Sequence, residues 1–132
     1  MYERNYAHTK PLPGLSIEAA SKKVRELLAT EGFGVLTEID VQATLKKKIN
    51  VERRPYLILG ACNPTLANQV LEAEPAVGVF LPCNVDIFEG EDGTTYVQTI
   101  RPSVAFALID NPKVKPIADE VDARLRRVLD KL

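Results

Sequence analysis

Cysteine and histidine are scarce in this chain of 132 residues, which has two cysteines and a single histidine. Cys62 and Cys83 lie 21 positions apart and form neither a dense disulfide framework nor a C-x-x-C redox or zinc-ribbon motif. One histidine and the lack of a nucleophile elbow argue against a serine hydrolase, and the glycines form no nucleotide-binding pattern. We therefore expect reduced thiols and neither of these enzyme classes.

Long apolar runs and an excess of one charge are also missing. No stretch of about 18 apolar residues occurs, as a membrane-spanning helix would need, and the first residues lead to no apolar signal segment. Seventeen Lys and Arg against eighteen Asp and Glu give a formal net charge of −1, so no global basic field attracts nucleic acid. We expect a soluble, cytoplasmic protein that binds neither membranes nor nucleic acid.

The remaining composition is that of a folded globular protein. Hydrophobic residues make up 45% of the chain and charged residues 27%, far from a disordered composition. The length suits one compact domain that buries its own core. We expect residues 1–132 to form a single domain.

The first half of the chain predicts strands and helices in alternation. After a short N-terminal edge strand, Ser16 can cap a helix at residues 17–31, and Gly32 suits a left-handed residue beyond its end. A helix at residues 41–48, capped by Asp40, precedes a central strand at residues 56–59. Between these helices, alternating side-chain directions predict a strand at residues 33–39. One face of this strand would carry Phe33, Val35, Thr37 and Ile39. The other face would carry Leu36, Glu38 and Asp40.

The second half predicts two more helices and a hairpin. Asn63 before Pro64 is typical of a helix N-terminus and predicts a helix at residues 65–72. The apolar residues 77–81 predict a strand interrupted by Pro82. The remaining predicted elements are a hairpin of residues 85–88 and 94–100, a short helix at 103–109, and a last helix from Asn111-Pro112 whose apolar stripe lies across the sheet.

Two short segments carry the most distinctive pattern. Gly60-Ala61-Cys62-Asn63-Pro64 and Leu81-Pro82-Cys83-Asn84 each place a cysteine before an asparagine at the end of an apolar run. Strands leave the core at such points, and sites are commonly built there. Together with residues 31–34, 37–40 and 111–112, these segments resemble the family known as domain of unknown function 302, over nearly the whole chain from about Ser16.

The resemblance implies a fold and an assembly. The implied fold is α+β: a two-layer β-α-β(4)-α arrangement on an antiparallel sheet, similar to TATA-box-binding-protein-like folds, with short extra helices. The implied assembly is a homodimer. The family has no settled reaction, so the resemblance assigns no catalytic residue and no cofactor, and fold analogy does not imply DNA binding.

The candidate ligand-binding site joins the carboxylates, thiols and carboxamides around the distinctive segments, namely Glu38, Asp40, Cys62, Asn63, Cys83 and Asn84. Cys62 precedes a predicted helix N-terminus, which favours a thiolate. The alternative is that both cysteines are small, buried hydrophobic residues. Asn63 and Asn84 can orient a ligand, or they serve as a helix cap and a turn residue.

The carboxylates and the basic side chains also have two interpretations each. Glu38 and Asp40 are either paired carboxylates for acid–base chemistry or a solvated strand end and a helix cap. The two thiols and His8 supply at most three metal ligands, and His8 lies in a weakly constrained segment. Glu38 or Asp40 could complete such a set, but we assign no metal. The densest basic patch is either an anion site or a solvated face, and consists of Lys46, Lys47, Lys48, Arg53 and Arg54.

These observations predict a homodimeric protein that binds a small ligand or a partner, rather than an enzyme with an assignable reaction. Two alternatives stay open. One is a thiol-based metal or redox protein that uses Cys62 and Cys83, and the other is a purely structural dimerisation module with no pocket. Adjacent, exposed thiols would favour the first alternative, and separated, buried thiols would favour a structural role.

Overall fold

An antiparallel five-stranded sheet organises the computed structural model, which describes all 132 residues. Every neighbouring pair of strands is antiparallel. Across the sheet, the strands are β1 (Ala7–Leu12), β5 (Thr95–Ile100), β4 (Cys83–Glu89), β3 (Tyr56–Cys62) and β2 (Gly34–Asp40). The first and last of these are edge strands, and the two cysteines lie on the neighbouring strands β3 and β4.

Five α-helices connect or follow the strands: α1 (Ile17–Thr30), α2 (Val41–Ile49), α3 (Pro64–Ala73), α4 (Pro102–Ala105) and α5 (Val114–Asp130). Two short 3₁₀ helices, Pro75–Phe80 and Phe106–Leu108, complete the chain. No helix combines the length and the apolar character that a membrane crossing needs.

The core lies between the sheet and the helices α1 and α5. Buried side chains of the three central strands, among them Leu59, Ile87 and Val97, form one cluster with Leu28 of α1 and Leu125 of α5. The opposite face of the sheet carries stacked aromatic rings, contributed by Tyr56, Phe88 and Tyr96, with Tyr2 packed edge-on against two of them. The two-layer antiparallel arrangement implied by the resemblance is therefore confirmed.

The local helix signals are confirmed where a cap fixes the helix end. Ser16 Oγ accepts a hydrogen bond from the Ala19 N–H at 3.1 Å, and α1 ends before Gly32, whose φ of 83° is the left-handed conformation that glycine adopts at low cost. The last helix begins later than predicted, at Val114. The helix predicted at residues 103–109 is divided between α4 and a 3₁₀ helix.

The strand predicted at residues 77–81 is wrong. Most of these residues belong to the 3₁₀ helix Pro75–Phe80, in which Val77 is buried and Val79 is 88% exposed. A short apolar run has no periodicity that separates a strand from a helical turn. The strand begins at Cys83, immediately after Pro82.

The predicted faces of β2 are also wrong, because the strand contains a β-bulge. Val35 pairs with Ala61 whereas Thr37 pairs with Gly60, so Leu36 is an extra residue between two paired positions. Neighbouring residues of β3 point to opposite faces of the sheet. Val35 therefore packs against the core, and Thr37 lies on the other face.

The buried carboxylate of Asp122 connects the N-terminal strand β1 with the C-terminal helices α4 and α5. His8 was expected in a weakly constrained segment, but it lies in β1, where its Nε2 donates to Asp122 Oδ1 of α5 at 2.8 Å. The other Asp122 oxygen accepts from the N–H and the hydroxyl of Ser103, and Arg101 Nε lies 3.6 Å from it. Burial raises the pKa of Asp122, but the hydrogen bonds from Ser103 and His8 outweigh burial and hold this pKa below its ordinary value. Asp122 is thus an ionised link between β1, α4 and α5.

Replacing Asp122 by Asn should lower the free energy of unfolding at neutral pH by about 3 kcal/mol, because it removes the charge from a buried, hydrogen-bonded carboxylate. The folded-state pKa of Asp122 is lowered, so its contribution is present above the unfolded pKa of about 3.9 and is lost as the pH falls through the folded pKa. In urea denaturation, the difference between wild type and Asp122→Asn should therefore shrink below about pH 4.

Asp119 provides a matched control on the same helix. Asp119 is exposed and pairs only with Lys115, so Asp119→Asn should change the urea midpoint little. Equal stability of wild type and Asp122→Asn at neutral pH would contradict the role of Asp122.

Candidate functional site

A cavity of about 360 Å³ lies at one end of the sheet, between the start of β2, the end of β3, the start of β4, and the helices α3 and α5. Thirteen of its sixteen lining residues are hydrophobic. Both cysteines line it, and we call it the thiol cavity. The other three lining residues are Thr37, Asn63 and Pro82, so no charged side chain faces this space.

Asn63 forms the corner between β3 and α3. Its Oδ1 accepts from the Leu66 N–H at 3.1 Å, so the predicted helix cap is confirmed. Its Nδ2 donates to the Glu31 carbonyl oxygen at the end of α1, at 3.3 Å. Asn63 is buried, and its carboxamide therefore fixes two helix ends beside the thiol cavity.

Gly60 allows Thr37 and Pro82 to pack closely over its backbone in one wall of the cavity. An added Cβ at this position would lie 2.8 Å from Pro82 Cγ and would overlap with Thr37 Oγ1. The Leu81–Pro82 peptide bond is cis. Thr37 and Pro82 both line the cavity. A side chain at position 60 would push them apart and change the shape of this wall.

The two thiols differ in their surroundings. Neither forms a disulfide; Cys83 is buried, whereas Cys62 is partly exposed. Burial, and to a lesser extent Cys62, raises the pKa of Cys83 to about 12. Cys83 is therefore protonated at neutral pH, and Cys62 is the more accessible thiol.

The structure brings together only half of the predicted site. Cys62, Asn63 and Cys83 line the thiol cavity, but the other three predicted residues do not. Glu38 accepts a hydrogen bond from Arg25 of α1 at 2.9 Å, and Asp40 Oδ1 accepts from the Ala43 N–H, which confirms the cap of α2.

Asn84 is exposed on β4 and pairs with Gly60. The sequence did not indicate Thr37 as part of the cavity. The apolar wall from α3, including Leu66 and Val70, has helical spacing that also describes ordinary core packing.

Several of the other candidate binding groups have partners outside the thiol cavity. No group of three or more His, Cys, Asp or Glu side chains is arranged to hold a metal ion. In the predicted basic patch, Lys46 pairs with Glu52, and Arg54 pairs with Glu89. The guanidinium of Arg53 lies over the ring of Tyr56. Three of the five basic side chains of this patch therefore have partners of their own, and no cavity described in the structure is lined by them.

Comparison with known proteins identifies a family without an assigned activity. The family model described as "Domain of unknown function DUF302" matches residues 8–132. The chain is similar to a solved structure described as an uncharacterized conserved protein DUF302 from Bacillus stearothermophilus, with 30% sequence identity and a TM-score of 0.89. The match covers 97% of this chain and 98% of that chain. No curated protein matches this chain.

Gly60→Ala should destabilise the protein by about 2 kcal/mol, because the new methyl group must displace Thr37 and Pro82. Gly34→Ala is a matched control on the neighbouring strand, since an added Cβ there meets no atom within 4 Å. Chemical denaturation should show a lower midpoint for Gly60→Ala and no loss for Gly34→Ala. Equal midpoints for the two variants would contradict the close packing at Gly60.

Cys62 should react with N-ethylmaleimide faster than Cys83 in the native protein, because Cys62 is partly exposed and Cys83 is buried and protonated. Peptide mass spectrometry after timed labelling distinguishes the two sites. In a Cys62→Ser variant, Cys83 should be labelled only as fast as the protein unfolds. Labelling of Cys62 in the wild type at that same slow rate would show that Cys62 is closed to solvent.

Proposed function

The chain belongs to the DUF302 family of domains of unknown function, and we propose that it binds a small, uncharged, largely apolar molecule in the thiol cavity. The observation that carries this proposal is a concave, hydrophobic space of about 360 Å³ without any charged lining residue. Ligand pockets in proteins are commonly about 300–1,000 Å³ and combine apolar walls with a few polar groups. A charged ligand would lose its hydration there without gaining a partner.

The polar groups of the cavity favour a ligand with one hydrogen-bonding group. The Asn63 carboxamide already bonds Leu66 and the Glu31 carbonyl. The Thr37 side chain is exposed, and its Oγ1 lies beside Gly60, which has no side chain to bond it. Its hydroxyl is thus available to one polar atom of a ligand, while the ligand's apolar part contacts Leu66, Val70 and the two thiols.

The alternatives have less support. A thiol-based redox or metal protein needs a thiolate, and the raised pKa of Cys83 opposes its ionisation at neutral pH. A metal would also need a third ligand near the two thiols, and no such group of side chains is present. The cavity itself counts against a dimerisation module without a pocket.

We further propose that two copies of the chain associate through β2 and α2. Neither element contains a buried residue, although their sequences include Leu36, Leu45 and Ile49. Leu36 is 68% exposed and Ile49 is 63% exposed. The β2 strand also has a free edge, where a second copy can pair or cover the apolar side chains. Because Leu36 also lines the thiol cavity, this association would narrow its mouth.

The ligand proposal is tested with N-phenyl-1-naphthylamine, an uncharged probe whose fluorescence rises in apolar surroundings. We expect saturable binding at one site per chain and slower N-ethylmaleimide labelling of Cys62 when the probe is bound. Ala67→Phe should abolish binding, because Ala67 lines the cavity and the ring would fill it. Ala29→Phe, at an exposed position of α1, is the matched control and should bind as the wild type does. If the Ala67→Phe variant remains folded and binds the probe as tightly as the wild type does, the proposal is contradicted.

Sedimentation velocity tests the association. At micromolar concentration we expect a species of twice the 14.6 kDa chain mass. Ile49→Lys should shift this species to monomer, since it places a charge in the proposed interface. Leu108→Lys changes a residue that is 82% exposed outside β2 and α2, and it should leave the assembly intact. A wild-type protein that sediments only as a monomer would contradict the proposal.

A further inference from the structure

We propose that a second site, between β1 and α5, binds a phosphate group. A cavity of about 330 Å³ lies there and shares no lining residue with the thiol cavity. We call it the β1–α5 groove. Four of its seven lining residues are basic: His8, Lys10, Arg101 and Arg126. They come from β1, from the segment after β5 and from α5, so the fold itself brings them together.

The two arginines of the groove lack hydrogen-bonded carboxylates. Arg101 is 3.6 Å from Asp122, and its buried Nε has no hydrogen-bond partner. Arg126 reaches Asp130 only at 4.0 Å. The arginines elsewhere that donate hydrogen bonds to a carboxylate are Arg25, Arg54, Arg124 and Arg127. The Arg101 Nε is buried, but the remaining N–H donors of Arg101 and those of Arg126 form no hydrogen bond, and both side chains are at least partly exposed. These donors are therefore available to a ligand.

The charge balance of the groove also favours an anion. Lys10, Arg101 and Arg126 are positive, and Lys10 uses one N–H donor to bind a main-chain oxygen of Leu132, the last residue of the sequence, at 2.9 Å. Two acidic groups oppose them. Asp122 is buried behind the groove and is occupied by His8 and Ser103. Asp130 is 68% exposed at the rim, where an ion pair with Arg126 contributes little. The side chains that line the groove, Lys10, Arg101 and Arg126 against Asp130, therefore carry more positive than negative charge.

The geometry of these donors suits a phosphate group. A guanidinium presents parallel N–H donors that match two oxygens of a carboxylate or phosphate. Two guanidinium groups and an ammonium around one small cavity can together engage three oxygens, which a phosphate has and a carboxylate does not. The ligand is either inorganic phosphate or the phosphate group of a small organic molecule, which share this chemistry.

The test is an NMR titration of the full chain with inorganic phosphate and, separately, with phenyl phosphate, at constant ionic strength set by sodium chloride. We expect saturable shifts of amide signals from residues 8–10 and 126–130. Arg126→Ala should weaken binding by at least about tenfold, which corresponds to the loss of a charge-assisted hydrogen bond. Tighter binding of phenyl phosphate would indicate an organic phosphate as the ligand, and tighter binding of inorganic phosphate would indicate the free ion; both results support the site.

Two controls separate this site from general electrostatics and from the thiol cavity. Lys23→Ala removes an exposed positive charge from α1 and should change phosphate affinity by less than about twofold. Ala67→Phe should leave phosphate binding unchanged. Equal weakening by Arg126→Ala and Lys23→Ala, or shifts that do not saturate, would overturn the proposal. Arg126 is exposed and makes no hydrogen bond, so its replacement should preserve folding.

Discussion

The turn at Asn63 is the constraint on which the thiol cavity depends. The central strand β3 ends at Cys62, and the Asn63 carboxamide starts α3 by accepting from the Leu66 N–H. The same side chain holds the end of α1 through the Glu31 carbonyl, which also accepts from Arg124 of α5. Three helices therefore meet at one buried asparagine. Because they are held at the strand end, the space between α3, α5 and the sheet does not close.

The two proposed sites lie in different parts of the fold and differ in chemistry. The thiol cavity is formed where the central strands end, and its walls are apolar because they are continuous with the core. The β1–α5 groove lies at the opposite edge of the sheet, where the buried Asp122 fixes His8 and Ser103. Each site can therefore bind or lose its ligand without sharing a side chain with the other.

Local rules predicted those parts of the structure that neighbouring residues determine. The caps at Ser16, Asp40 and Asn63 are confirmed because each is an interaction between a side chain and an N–H three residues later. The apolar run at residues 77–81 has no such interaction and was wrongly predicted as a strand. The bulge at Leu36 is set by pairing with β3, so alternation alone could not predict the faces of β2.

The candidate site was predicted in part for the same reason. Cys62 and Asn63 are adjacent in the sequence, and Cys83 joins them because β4 pairs with β3. Glu38 and Asp40 were expected beside them, but each has a partner of its own in α1 or α2. The contact between His8 and Asp122 spans 114 positions, and no local pattern indicates it. The sequence pattern thus indicated three of the residues that line the cavity, and the packing of distant elements determined the rest of the lining.

The most direct test of the account is a crystal structure of the protein soaked with 1-bromonaphthalene, an uncharged apolar molecule whose bromine gives an anomalous signal. We expect an anomalous peak inside the thiol cavity, in contact with Leu66 and Cys62, with the positions of Asn63 and the α3 N-terminus unchanged. A cavity filled by ordered water, with no bromine peak between α3, the start of β2 and the end of β3, would contradict the claim that this space binds apolar molecules.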